Sequence, residues 1–154
     1  MAKRDKAVKI KENPKAKKQP IVQEHLNLYE MTPTWSFVKC DFEHPNWGLT
    51  QNLNLVYLDR LLKRFKEWER SNWKDILTVT AGRKSNTQSH PMPVSSLIKE
   101  AGERLCELHL DEYDTLYSLT VTGRQRVWGI MIEETGTFQV LWYDSEHAIY
   151  PVSK

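Results

Sequence analysis

The sequence has no apolar run approaching the roughly 20 residues needed to span a bilayer, and no apolar stretch typical of a secretory signal. It has only two cysteines in 154 residues. Cys40 and Cys106 stand far apart, outside any metal-ligand spacing, and both fall in apolar-patterned segments. Such cysteines are typical of buried core thiols in a reducing compartment. We therefore expect a cytoplasmic chain without a membrane partner.

The sequence motifs of common catalytic sites are also missing. There is no glycine-rich phosphate loop, no GxSxG, and no HxH, HExxH or CxxC spacing. Asp41 and His44, joined by His90 or His147, come nearest to a metal-ligand set, but no spacing supports it. We therefore expect neither a metal ion nor another cofactor.

Charge is distributed unevenly along the chain, whose formal net charge is +2. Residues 1–20 hold eight basic and two acidic residues, a charge of +6, so the remainder carries −4. We predict that residues 1–22 form a disordered basic tail. The tail would act either as a solubilising segment or as an electrostatic hook for nucleic acid or an acidic protein. An acidic body argues against a broad nucleic-acid-coating surface but allows a local basic site.

Hydrophobic periodicity predicts two helices in the remaining residues, 23–154. Apolar residues recur at steps of three and four from Leu55 to Trp68, which indicates an amphipathic helix. The same spacing over residues 94–108 predicts a second helix. Residues 73–77 fit either a short helix or a strand. Between this segment and the second predicted helix, residues 81–91 contain no apolar anchor beyond alanine, and we expect a mobile loop there.

Strands are predicted by alternating apolar and polar residues. Trp35 and Phe37 indicate a first strand over residues 34–42. Three more strands are predicted near the C-terminus, at residues 115–122, 126–132 and 138–143. Their short links force antiparallel neighbours. The prediction is a single α+β domain in the order β-α-α-β-β-β, an antiparallel sheet with two helices packed on one face.

The end of the last strand concentrates polar side chains in residues 142–151. His147 is the kind of residue that transfers protons at neutral pH, and Tyr150 could donate a proton or stack on a base. Arg126, on the preceding strand, suits bidentate phosphate binding. Two structural alternatives stay open: a polar turn that only closes the domain, and a surface ion pair of Arg126 with an acid such as Glu133 or Asp144.

The element order and two motifs, Arg126-Val127-Trp128-Gly129-Ile130 and the run from Val140 to Pro151, resemble the RelE/ParE/HigB-type toxin superfamily over roughly residues 35–152. The resemblance implies a compact α+β microRNase-like fold and metal-independent cleavage of mRNA on the ribosome. It also implies an antitoxin or other protein partner.

Carried over by position, the resemblance implies catalytic roles for Arg126, His147 and Tyr150. It also points to RNA contacts, which we assign to Arg124, Lys84, His90 and Arg83. Relatives of the ParE type keep the fold without the nuclease residues. A non-catalytic module that binds protein or nucleic acid, such as an inhibitor encoded by a mobile element, is therefore the alternative.

Overall fold

A five-stranded sheet forms the centre of the computed structural model, which describes residues 27–78 and 89–151. The elements in chain order are β1 (Thr34–Ser36), α1 (Leu55–Trp68), α2 (Trp73–Thr78), β2 (His90–Pro93), α3 (Lys99–Glu107), β3 (Thr115–Thr122), β4 (Gln125–Ile132) and β5 (Thr137–Asp144). Single 3-10 turns precede β1 and α3. The predicted tail and most of the predicted 81–91 loop lie outside the described residues. No helix in the two described segments is long and apolar enough to cross a membrane.

The strands lie side by side in the order β1-β5-β4-β3-β2. The three C-terminal strands are antiparallel, as predicted. Their tight turns place Gly123 and Gly136 at φ values of 51° and 68°, a conformation that glycine adopts without steric cost. β2 also pairs antiparallel, with β3. The prediction of a wholly antiparallel sheet is wrong only at β1, which runs parallel to β5. A long connection through helices allows this parallel pairing.

The first strand ends at Ser36, earlier than predicted, because the chain turns directly afterwards, where the Cys40 N–H donates to the Phe37 carbonyl at 3.1 Å. The Asp41 carboxylate accepts the backbone N–H groups of Glu43 and His44, at 3.0 and 3.2 Å, and stabilises a local turn. The segment still follows the β5 edge through isolated bonds. The Asp41 N–H donates to the Leu141 carbonyl, for example, at 3.0 Å.

Prolines explain why the second predicted helix begins late. Pro91 and Pro93 favour extended backbone in the residues before them, and residues 90–93 form β2 at the sheet edge, where strand prolines are tolerated. This strand replaces the end of the predicted loop, and α3 starts only at Lys99. The ambiguous segment is α2, whose N-terminus is capped by the Asn72 side chain, which accepts from the Asp75 N–H at 2.9 Å.

The helices pack on opposite faces of the sheet, so the prediction of one shared face is wrong. The cluster under α1 and α2 contains Leu119 and Val127, whereas the cluster under α3 contains Leu116 and Trp128. Neighbouring residues in a strand point to opposite faces. Both faces of β3 and β4 are apolar, and each therefore requires its own covering layer.

Candidate functional site

One end of the sheet, where β3 and β5 stop and β4 begins, gathers the polar residues of the C-terminal motif. Arg126 on β4 lies opposite Asp144, the last residue of β5. His147 follows in the next turn, and Arg124 occupies the exposed β3–β4 turn. Antiparallel pairing therefore brings together residues about twenty positions apart in sequence.

Asp144 fixes the turn that carries His147. Its side chain is buried, with the residue 1% exposed, and its two carboxylate oxygens accept the N–H groups of Ala148 and Ile149, both at 2.9 Å. Ile149 then inserts into the apolar cluster on the α3 side. Between these two anchors His147 adopts a φ of 57°. A positive φ is uncommon for a residue other than glycine and is found at turns and functional sites.

Arg126 folds back on the β3–β4 turn. Its Nη1 donates to the carbonyls of Gly123 and Gln125, at 2.6 and 3.1 Å. It forms no ion pair with any acid in residues 27–78 and 89–151, and Glu133 lies beyond the far end of β4. Burial lowers the pKa of Arg126, and the Asp144 charge opposes that effect. The guanidinium is therefore partly desolvated and not neutralised by a salt bridge.

The pKa of His147 is lowered from its usual value. Burial is the main cause and the neighbouring Arg126 cation adds to it, whereas Asp144 and backbone hydrogen bonding at His147 and Tyr150 act in the opposite direction. A lowered pKa favours the neutral imidazole, which can accept a proton. The effect of the Arg126 charge on His147 agrees with a position of the two side chains at the same end of the sheet.

The other predicted residues join this site less closely. Tyr150 contributes its backbone near His147, while its side chain is 37% exposed. His90 lies on β2 opposite Ser118, separated from β4 by β3, and so stands apart from Arg126. Arg83 and Lys84 lie outside the described residues.

A second polar cluster, which the sequence did not reveal as a unit, is centred on Asp41. Arg104 donates to both carboxylate oxygens at 2.8 and 2.9 Å, and the Trp142 indole N–H donates to Oδ2 at 3.0 Å. Burial works to raise the pKa of Asp41, but hydrogen bonds from Arg104, Trp142 and two backbone N–H groups prevail and hold it well below its usual value. The carboxylate thus joins α3, β5 and the segment after β1.

His44 is part of the same cluster and is also fully engaged. Its Nδ1 accepts the N–H groups of Asn46 and Trp47 at 3.2 and 3.1 Å, so Nε2 carries the proton and faces Glu100 at 3.2 Å. With Asp41 saturated by donors and His44 used on both ring nitrogens, neither is available as a metal ligand. Residues 27–78 and 89–151 contain no group of three or more His, Cys, Asp or Glu able to hold a metal ion.

The cysteines differ from the expected pair of core thiols. Cys40 is half-buried, and burial followed by the Asp41 charge raises its pKa to about 12. Cys106 is exposed on α3, so its predicted place in the core is wrong. A nine-residue helix covers the sheet with only part of its circumference, and Cys106 lies on the solvent side.

No protein-family model, curated protein or solved structure matches this chain. The chemistry of the sheet end is therefore the basis for assigning a function.

Proposed function

We propose that this chain is a RelE-like toxin domain that cleaves mRNA at the ribosome in the cytoplasm without a metal ion. The observation that carries the proposal is the position of Arg126, which forms no salt bridge in the described residues, at the same sheet end as His147, whose pKa is lowered. A phosphate-binding cation beside a neutral imidazole is a minimal set for RNA transesterification.

In the proposed reaction His147 accepts the proton of the ribose 2′-hydroxyl. The 2′-oxygen then attacks the adjacent phosphorus, and the bond from phosphorus to the 5′-oxygen of the next nucleotide breaks. Arg126 stabilises the negative charge on the crowded phosphate. The Tyr150 hydroxyl supplies a proton to the departing 5′-oxygen. The products are a 2′,3′-cyclic phosphate and a free 5′-hydroxyl.

The proposed RNA contacts extend outward from this centre. Arg124 is exposed in the β3–β4 turn, beside Arg126. Arg83, Lys84 and His90 would contact RNA farther along its path. The basic tail would bind nucleic acid or an acidic protein, and an antitoxin would be the protein partner. Each of these contacts would raise affinity without taking part in bond making.

The experiment is induction of the protein in bacteria, with growth and the 5′ ends of cellular mRNA followed together. Wild type should slow growth and create new 5′-hydroxyl ends, and His147→Ala and Arg126→Ala should each lower cleavage by about 10²-fold or more. Arg70→Ala is the matched control, because it removes an exposed arginine near the end of α1. Unchanged growth and intact mRNA at good expression would refute the ribonuclease function.

A non-catalytic protein-binding module is the second candidate, and an exposed apolar stripe favours it. Leu55, Leu58 and Leu62 on α1 are 84%, 37% and 59% exposed, and their spacing places them along one side of the helix. A pull-down with full-length protein, protein lacking residues 1–20, and the Leu55→Asn/Leu62→Asn variant tests this function. A defined partner lost from the leucine variant, with cellular RNA unchanged, favours the binding module. Equal recovery by all three forms counts against it.

A further inference from the structure

The side of α1 that faces the β3–β5 end of the sheet carries two arginines and a tyrosine. Tyr57, Arg60 and Arg64 follow one another at steps of three and four residues, so they line one flank of the helix. Tyr57 lies 6.5 Å from Tyr143 between ring centroids, and Arg64 Nε donates to the Thr120 carbonyl at 3.3 Å. The flank is therefore anchored over the ends of β3 and β5.

Beneath this flank two buried polar atoms have no hydrogen-bond partner within the described residues. They are the Tyr143 hydroxyl and Gln125 Oε1, in residues 0% and 6% exposed. Val127 pairs with Tyr143 and is two positions from Gln125, so both polar groups belong to the α1 side of the sheet. Buried polar groups without partners are rare in folded proteins. A bound polar group is one way to satisfy them.

Arginines are concentrated at this end of the sheet, among a smaller number of acidic groups. Six arginines occur in the described segments, and four stand at this end of the sheet: Arg60, Arg64, Arg124 and Arg126. Arg60 has no ion pair within those segments, whereas Arg64 pairs with Glu67 at 2.8 Å. Burial is the main cause that raises the pKa of Tyr143, and Tyr57, Asp144 and Glu146 act in the same direction. The Arg60 cation opposes that rise, which agrees with a position of Arg60 near the Tyr143 hydroxyl. The opposite end of β4 leads instead into Glu133 and Glu134.

We propose that Arg60 and the Tyr143 hydroxyl, with Arg64 beside them, bind a second phosphodiester group of a single-stranded RNA. Arg126 points to the α3 side of the sheet, because neighbouring Val127 points to the α1 side. The RNA would therefore pass over the end of the sheet, across Arg124 in the exposed turn. The choice of RNA rests on the proposed function, whereas the site itself requires only a phosphate chain.

Binding of a short fluorescein-labelled single-stranded RNA to the full-length protein, followed by anisotropy over a salt series, tests the site. Arg60→Ala should weaken binding about fivefold to tenfold and reduce the slope of log K against log salt by about 0.7, the value for one phosphate on a single strand. Arg70→Ala removes the same charge just beyond the C-terminal end of α1 and should stay within about twofold of wild type. The basic residues 1–20 are present in both variants, so their contribution to RNA affinity is the same in both and does not affect the comparison.

Tyr143→Phe removes only the hydroxyl and keeps the buried ring. It should weaken binding about threefold while thermal unfolding shows a melting temperature equal to or above that of wild type. Equal RNA affinity of wild type, Arg60→Ala and Tyr143→Phe would overturn the site, as would a poly-glutamate peptide that competes as well as RNA. RNA binding that depends on Arg60 in the absence of any cleavage would support the site and refute the nuclease function. Cleavage that persists in Arg60→Ala with unchanged RNA affinity would support the nuclease function and refute the site.

Discussion

Replacing Asp41 by Asn should destabilise the protein far more than an ordinary loss of charge. The Asp41 side chain is 1% exposed, and its Oδ2 accepts from both Arg104 Nε and the Trp142 indole. An amide nitrogen in that place would face two donors and leave the guanidinium without its anion. Breaking a buried pair in this way costs about 3–5 kcal/mol, a large share of a typical folding free energy of about 5–15 kcal/mol.

Equilibrium urea unfolding measures this loss. Asp59→Asn is the matched control, because the Asp59–Lys63 pair is as short, at 2.7 Å, but its side chains are 58% and 72% exposed. Exposed pairs contribute about 0–1 kcal/mol, so the control should unfold close to wild type. If both variants lose less than about 1 kcal/mol of unfolding free energy, burial does not determine how much the loss of an ion pair destabilises the protein, and the reasoning is refuted.

The pH dependence of stability gives a second test of the same residue. Folding lowers the pKa of Asp41, so the unfolded chain binds the extra proton. Its contribution is fully present above about pH 4 and is lost as pH falls through the folded-state pKa. Asp41→Asn should therefore lose less stability than wild type on acidification. An acid-induced loss as steep as that of wild type would show that Asp41 is not the titrating group.

Three further tests address separate features. Folding lowers the pKa of His147, so the contribution of the neutral imidazole to stability is present above about pH 6.5 and is lost as pH falls below that value. When the free energy of unfolding is measured with urea at several pH values, His147→Gln should flatten this part of the curve. A Cβ on Gly129 would lie 2.3 Å from a backbone oxygen, whereas one on Gly102 would meet nothing within 4 Å. Gly129→Ala should lower the free energy of unfolding by at least about 1–3 kcal/mol, whereas Gly102→Ala should raise it by about 0.5–1 kcal/mol. Thermal unfolding measures both changes, and similar melting temperatures of the two variants would contradict the packing at Gly129. Exposed Cys106 should react with a thiol reagent at pH 8 much faster than Cys40, whose pKa is raised to about 12, and equal rates would count against that difference.

Local patterns predicted the parts of the fold that depend on neighbouring residues. The β3–β5 strands follow from period-two alternation and tight turns at Gly123 and Gly136. The α1 helix follows from leucine spacing, and Asn54 caps it by accepting the Tyr57 N–H at 2.8 Å. The approach of Arg126 to the end of β5 follows from the β4–β5 turn, but a bulge between Trp128 and Gly129 shifts the register by one residue and places Arg126 opposite Asp144. The region of the candidate site was therefore accessible from sequence, whereas the exact pairing was not.

Contacts between distant residues decided the rest, and periodicity does not encode them. One such contact is the Asp41–Arg104 pair, which ties α3 to the segment after β1 although its members are 63 positions apart. The helical pattern alone gives an apolar side but no choice of sheet face. Arg60 has the sequence signature of an ordinary surface arginine, and only the position of Tyr143 beneath α1 distinguishes it. Such relationships require the tertiary structure.

The parallel pairing of β1 with β5 has a consequence for synthesis of the chain. Thr34 is aligned with Thr137, so the first strand has no sheet neighbour until the last strand has been translated. At about 5–20 residues per second this interval lasts on the order of 5–20 s. The contact of Trp35 with Phe138, whose ring centroids lie 5.9 Å apart, forms equally late. Ribosome-bound chains that stall before β5 should therefore expose the aromatic side of α1 and become clients of chaperones.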